Sequence, residues 1–331
     1  MNFQPKKCQY NITQNSEFRI QNSELRILIV CSKNSGRIAP FITDQASALQ
    51  NVGVKIDFFT IEGKGVLGYL ANRKLLLDKI HKFQPQLIHA HYGLSGLLAN
   101  TQRTVPVVTT YHGSDINVPR VFVFSRINMI LSAFNIFVSE KNIKKSNLKR
   151  NFALIPCGVD TSVFKPIDKS EARKQLGFDL EQKLVLFAGD FNNAVKNPDL
   201  AKNAVNQLVN VELLELKGYS RAEVALVMNA VDVCLMTSFT EGSPQFIKEA
   251  MACNCPIVSV NVGDVEDVIK GVSGCFVTNY DVRELSEKIE IALNLVERTR
   301  GRDRIILNQL EQNAVVQKLL EIYTKILEKK Q

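Results

Sequence analysis

Short apolar runs recur along this chain, each followed by a stretch of helical periodicity, and that alternation dictates the class of fold. Arg26-Ile27-Leu28-Ile29-Val30-Cys31 opens the series, with the loop Ser32 to Pro40 and a helix from Asp44 to Val52 behind it. Further strands are read at 55–60, 87–90, 105–109, 136–139 and 153–155, with helices at 75–83 and 141–148 among them. Such runs suit strands buried on both faces, and strand–helix alternation produces a parallel sheet with helices on either side. Cys157-Gly158-Val159-Asp160 and Phe164-Lys165-Pro166 then interrupt regular structure. A helix at 170–176 leads to a second series, with strands at 183–188, 211–215, 233–236, 256–260 and 275–277.

The predicted architecture is α/β: two Rossmann-like domains, residues 25–164 and 165–331, facing a central cleft. At 331 residues, 45% hydrophobic, the chain can fill two cores. A closing helix over 305–327 carries Leu310, Val315, Leu319, Leu320, Tyr323 and Ile326 near one face. It is assigned to the second domain, with packing back on the first as the alternative. Asn15-Ser16-Glu17-Phe18-Arg19-Ile20 is imperfectly repeated as Asn22-Ser23-Glu24-Leu25-Arg26-Ile27, too short to build a repeat fold, so residues 1–24 are read as a disordered extension.

Charge separates the halves. Residues 1–164 hold 20 Lys and Arg against 9 Asp and Glu, whereas 165–331 hold 21 against 24. A basic half suits phosphates or an anionic membrane surface, and no nucleic-acid-reading motif is present. The basic run Lys141, Lys144, Lys145, Lys149, Arg150 is the segment read as a membrane contact, against the plainer reading of a solvated helix face. The apolar window from Val121 to Ser139 is interrupted by Arg126, Asn128 and Asn135, which argues against a span of roughly 20 lipid-facing residues. The start lacks the apolar core of a secretory signal, so the expected location is the cytoplasm, at the inner face of the plasma membrane if the basic run docks there. Seven scattered cysteines suit reduced thiols, and Cys253-Asn254-Cys255 lacks the two-residue gap of a zinc half-site; no metal is expected.

The densest chemical signal lies between Phe239 and Ala252. Gly242 and Pro244 break the chain after a strand, and Phe246, Ile247, Ala250 and Met251 recur at helical spacing. A helix N-terminus has unpaired N–H groups and a positive dipole end, which invite a phosphate. Glu241 and Glu249 bracket that turn, and carboxylates accept hydrogen bonds from hydroxyls. Phosphate beside hydroxyls describes a nucleotide sugar. The loop Asn192 to Pro198 offers Lys196 to pyrophosphate charge, and His112 lies just beyond a strand's carboxyl end, where open parallel sheets bind ligands. Gly63-Lys64-Gly65-Val66-Leu67-Gly68 matches a dinucleotide fingerprint in spacing but follows the second strand, so it is read as a cleft loop. His89 and His91 face one side of their strand, and packing at a strand end is the favoured reading of that pair.

These segments resemble the family 4 retaining glycosyltransferases of the GT-B fold, over approximately residues 25–327. The resemblance is carried by Ser35-Gly36-Arg37-Ile38, Ile88-His89-Ala90-His91-Tyr92-Gly93, Tyr111-His112-Gly113-Ser114-Asp115, Ile155-Pro156-Cys157-Gly158-Val159-Asp160, Lys196-Asn197-Pro198 and the Glu241 to Glu249 element. It implies an acceptor-binding first domain, a second domain holding a nucleotide-diphosphate sugar, and transfer with retention that needs no metal or other cofactor. It further implies that Glu241 contacts the donor sugar, Glu249 the ribose, and Lys196 the departing diphosphate. Gly242, Ser243, Gln245 and Phe246 supply the anion cradle, which Pro244 shapes without donating an N–H. His112 is implied beside the sugar and Gly36 in a loop closing over the phosphates, while His91, Tyr92, Ser114 and Asp115 are assigned to the acceptor side.

Two departures qualify the resemblance. Gly189 is followed by Asp190 where many members have arginine, and Ser35-Gly36 stands where a glycine pair is common. Arg37 is the candidate for the missing charge. The expected function is sugar transfer to a saccharide or lipid-linked acceptor in cell-envelope polysaccharide or glycolipid synthesis. The alternatives are a nucleotide-sugar epimerase of the same fold and a non-catalytic nucleotide-sugar binder.

Overall fold

The computed structural model describes residues 25–329, so the extension read over 1–24 lies outside the described residues. The first sheet is built from β1 (Arg26–Ser32), β2 (Lys55–Ile61), β3 (Leu87–His91), β4 (Val107–Tyr111), β5 (Phe134–Phe137) and β6 (Phe152–Leu154), in the order β2-β1-β3-β4-β5-β6. The second contains β7 (Lys183–Phe187), β8 (Val211–Glu215), β9 (Val233–Met236), β10 (Ile257–Val260) and β11 (Cys275–Thr278), in the order β11-β10-β9-β7-β8. Every pairing is parallel. Such strands need both faces covered, and Ile27 to Cys31 and Val185 to Phe187 are fully buried.

Each order reverses once, between β1 and β3 and between β7 and β9. Connections on either side of such a point run to opposite faces, which leaves a crevice at the strands' carboxyl ends. The loops after β1, β3, β7 and β9 therefore border the two crevices. They carry Gly36 and Arg37, Tyr92, Lys196, and Glu241.

Most element positions agree with the sequence reading to within a few residues. The first helix, Pro40–Asn51, begins earlier than read, with Pro40 in its first turn, where a fixed φ is pre-organised and no N–H is needed. The closing helix is a correction. Instead of one helix there are two, Gly301–Leu307 and Gln312–Glu328. Gln309 has φ of 52°, and the intervening residues bond to the crossover between the domains: Val159 N–H donates to Leu310 O and Gln312 N–H to Val159 O, both at 2.9 Å. Two passages of chain thus lie side by side at the hinge.

Beyond the hinge, Gln312–Glu328 packs on the first domain. Val315, Val316, Leu319, Leu320 and Tyr323 share a buried cluster with Leu25, Ile27, Leu49, Val54 and Leu87. Burying an aliphatic or aromatic side chain of this size contributes about 1.5–3 kcal/mol, so this helix is a structural member of the first core. Among the described residues, no helix is long and apolar enough to cross a membrane.

Candidate active site

The second-domain wall is built from the loops after β7 and β9. Asn193 accepts the Val195 N–H, a short 3-10 turn spans Ala194–Lys196, Asn197 takes φ of 54°, and Pro198 starts the next helix. Thr237, just after β9, donates its hydroxyl to the carbonyls of Lys196 and Asn197 at 2.9 Å. Two loops are thereby fixed to each other, and Lys196 Nζ lies 2.6 Å from Glu241 Oε1. The helix Gln245–Ala252 begins beside this pair. Its N-cap is Pro244, no side chain caps it, and no acid occupies its first turn, so its leading amides are open to an anion.

Several residues of this turn are committed within the protein. Ser243 Oγ donates to Asp264 Oδ2 at 2.5 Å, and the fully buried Lys248 donates to Ser243 Oγ at 3.1 Å and to the Cys157 carbonyl at 2.6 Å. Gln245 Nε2 donates to the Gly158 carbonyl. Glu249 Oε1 is 2.5 Å from Arg221, whose other terminal nitrogen reaches Asp44 Oδ2 of the first domain at 2.6 Å. Burial pushes the Glu249 carboxyl up and Arg221 pulls it back. Asp190, which stands where many members of the family have arginine, pairs with Lys217 at 2.9 Å, and the Asn192 N–H and Lys217 hold it below the usual carboxylate range.

The first-domain wall is neutral and aromatic. The His112 ring packs against Phe41, Tyr92 and His91, with centroids 4.7, 4.6 and 5.2 Å away. Its Nε2 is 3.0 Å from His91 Nδ1, and its Nδ1 is 3.6 Å from Cys157 Sγ. Burial, with His89 and Lys248 nearby, lowers the His112 pKa to about 3, so the imidazole is uncharged at neutral pH. His91 is fully buried and its Nε2 has no partner among the described residues. His89 bonds Tyr323 OH at 2.6 Å and Thr110 Oγ1 at 2.7 Å, a structural role. Asp115 is also turned inward, accepting N–H groups of Gly93, His112 and Gly113 at 3.1, 3.1 and 2.9 Å; burial raises its pKa to about 6. Tyr92 has φ 73° and ψ 149°, a region nearly confined to glycine that costs about 1–3 kcal/mol, and such strain clusters at functional sites.

The walls touch. A Cβ on Gly242 would lie 2.1 Å from the His112 carbonyl oxygen, and one on Gly113 would lie 2.8 Å from Gly242 Cα. Only glycines permit that approach. Beside it is a cavity of about 260 Å³ bordered by Asn117, Lys141, Thr240, Glu241 and Asn261. Lys141 Nζ donates to Asn261 Oδ1 at 3.2 Å and Lys145 Nζ to the Asn117 carbonyl at 3.5 Å. Two members of the basic run thus face the cleft, which local charge density could not reveal. A larger cavity, about 580 Å³, lies against β6 and Gln312–Glu328 near the amino ends of β4 to β6, away from the crevices.

Of the residues singled out in the sequence, His112, Lys196, Glu241, Gly242, Ser243, Pro244, Gln245 and Phe246 are gathered at the meeting of the walls. Gly36, with φ of 86°, and Arg37 are exposed on the loop after β1, and Ser114 is exposed at a helix start. His91 and Asp115 act from behind His112 rather than lining open space. Glu249 lies deeper, on the Arg221 side. Arg221, Lys248, Lys217, Asp44 and Asp264 were not singled out. Ser220-Arg221-Ala222-Glu223 is a legible capping box, but Arg221 meets Asp44 across 177 positions, a distance no local pattern spans.

Comparison with known proteins agrees with the two-domain fold. Residues 24–163 match the model of Glycosyltransferase Family 4, and residues 184–294 that of Glycosyl transferases group 1. A D-inositol 3-phosphate glycosyltransferase of Mycobacterium marinum is 27% identical over 255 residues, covering 62% of this chain and 54% of that protein. The chain thus spans about half the length of the curated relatives it matches. Sucrose-phosphate synthase from Thermosynechococcus elongatus superposes with a TM-score of 0.80 at 16% identity, covering 92% of this chain and 100% of that one. HepE from Anabaena, solved with UDP and glucose, gives 0.69 at 18% identity over 91% of this chain and 100% of its own. Two parallel-sheet domains meeting at their switch-point loops, with both halves matched by family models, establish that the chain belongs to the family 4 glycosyltransferases of GT-B fold.

Proposed function

We propose that this protein transfers a sugar, with retention of anomeric configuration and without a metal requirement, from a nucleoside-diphosphate sugar to a saccharide or lipid-linked acceptor. Cell-envelope polysaccharide or glycolipid synthesis is the setting this reading favours. The observation that carries it is the Lys196–Glu241 contact of 2.6 Å beside the uncapped start of Gln245–Ala252. As the bond between the anomeric carbon and the diphosphate oxygen breaks, its electron pair leaves with the diphosphate. In this reading Lys196 and the open amides meet that charge, and the acceptor hydroxyl attacks from the same face, its proton passing to the departing phosphate oxygen. Preorganised donors of this kind are worth about 3–4 kcal/mol each. In this reading Glu241 steadies the positive charge that develops on the sugar, and Glu249 accepts a hydrogen bond from the ribose.

UDP and ADP are the first nucleotides to try, since HepE was solved with UDP and Arabidopsis starch synthase IV with ADP. The mycobacterial relatives act, by their names, on an inositol phosphate, which makes a polyol phosphate the first acceptor to try. The exposed Lys144, Lys149 and Arg150 leave room for contact with anionic lipid. One assay tests the reading: nucleoside diphosphate release from a panel of nucleotide sugars, with soluble acceptors and with acceptors in neutral or anionic vesicles. Acceptor-dependent release is expected. Isomerised donor without transfer would replace this reading with epimerisation, and donor binding without any turnover would leave a binding protein. Equal rates in neutral and anionic vesicles would remove the lipid contact.

A further inference from the structure

We propose that Arg221 is a positioning residue that straps the two domains closed and transmits that closure to Glu249; the second half of this statement rests on the donor site proposed above. The guanidinium sits where three parts of the chain meet. One terminal nitrogen is 2.5 Å from Glu249 Oε1 in the second domain, and the other is 2.6 Å from Asp44 Oδ2 on the first-domain helix Pro40–Asn51. Its plane lies over the Phe164 ring, 4.6 Å from the centroid, in the segment that connects the domains. Asp160 of the same segment adds a third carboxylate within electrostatic reach of Arg221 and Asp44.

A planar fork can hold two carboxylates in different directions while stacking on an aromatic ring, whereas an ammonium is a single point charge on a flexible stem. The arrangement therefore requires arginine in particular. Glu249 is 5% exposed while the Arg221 and Asp44 side chains are 32% and 23% exposed. Water can replace the Asp44 contact when the domains part, which makes that end of the strap reversible. The Glu249 end is buried, where loss of the cation would leave a carboxylate with little solvation. Opening thus releases Arg221 from the first domain but keeps it on Glu249, so the aim of Glu249 depends on whether the cleft is shut. A ligand that meets an already closed cleft is spared the population cost of closing it.

Solution scattering on the ligand-free full chain tests the strap directly. Asp44→Asn removes one charge at a partly exposed site, and Arg221→Lys keeps the charge but loses the span. Each should raise the radius of gyration by about 1 Å from the roughly 20 Å of a compact chain this long, and the double variant should add nothing further. Wild-type scattering from both single variants overturns the proposal. Calorimetry with UDP and ADP tests the transmission to Glu249: Asp44→Asn should weaken binding about fivefold, and an unchanged Kd would overturn that half. Failure of the wild type to bind any nucleotide would overturn the donor reading, and with it the Glu249 half, while the scattering still decides the strap.

Discussion

The two walls of the cleft solve opposite problems. On the second-domain side charge is concentrated and paired: Lys196 with Glu241, Arg221 with Glu249, Lys217 with Asp190. Around His112, on the first-domain side, charge is suppressed. His89, His91 and His112 are held neutral by burial and stack near one another, with Phe41 and Tyr92 closing over His112. The contrast teaches that an anion beside His112 meets its charges on the second-domain side, while the first domain brings its own cation, Lys141, to the neighbouring cavity. The histidine cluster on the other side supplies shape and an uncharged, partly buried boundary, and a lower local dielectric strengthens each charge opposite it.

The sharpest way to break this division is to remove its central cation. Lys196→Ala should lower turnover at saturating donor by about 10²–10³, the usual loss for one preorganised donor, with a smaller change in donor affinity. A drop below tenfold would mean that the charged wall does not carry the chemistry.

The neutral wall predicts a pH dependence of stability. An imidazole whose pKa is lowered by folding adds stability that is complete above its unfolded value, near 6.5, and is lost as pH falls toward the folded value of about 3. His89 and His112 together should withdraw on the order of 2 kcal/mol by pH 5, so the melting temperature should fall between pH 7 and pH 5. His89→Gln should flatten that slope. A slope identical to wild type would show that the wall is not held neutral.

The smallest expected effect concerns Asp190. Lys217→Ala leaves this carboxylate without its ion pair and should weaken UDP or ADP binding about threefold, whereas Asp190→Asn should restore it. Comparison with Arg37→Ala shows which cation stands in for the arginine the family often carries at this position. Unchanged binding in Lys217→Ala would return that role to Arg37.

The fold was largely legible because buried parallel strands leave continuous apolar runs, such as Ile27 to Cys31 and Leu184 to Phe187, that need no distant information to be read. The turn before Gln245–Ala252 was legible for a related reason: Gly242, Pro244 and the following helix are local in sequence. What escaped was everything decided by distant pairing. The helix break at Gln309 has no glycine or proline to announce it, because it is imposed by the Val159 contacts. Lys248 looks like a surface residue until Cys157 and Ser243 are brought to it. Asp190 reads as an acid without a partner until Lys217, from the loop after β8, is brought beside it. His91 and Asp115 read as cleft residues from their positions after and near strand ends, yet their side chains turn inward to hold His112 and its loop.

The return of Gln312–Glu328 to the first domain has a consequence for how the chain comes to be folded. Residues 26–154 supply every strand of the first sheet, but Val315, Leu319 and Tyr323 complete its core, and Tyr323 is also the partner of His89 Nδ1. During synthesis the first sheet must wait, with part of its apolar face uncovered, until residues 312–328 have been made, while the intervening domain can close its own core in the meantime. The domain begun first is finished second. Fastening that helix also brings Tyr323 to His89, the inner ring of the His89–His91–His112 stack, so the neutral wall gains its last support from the far end of the chain.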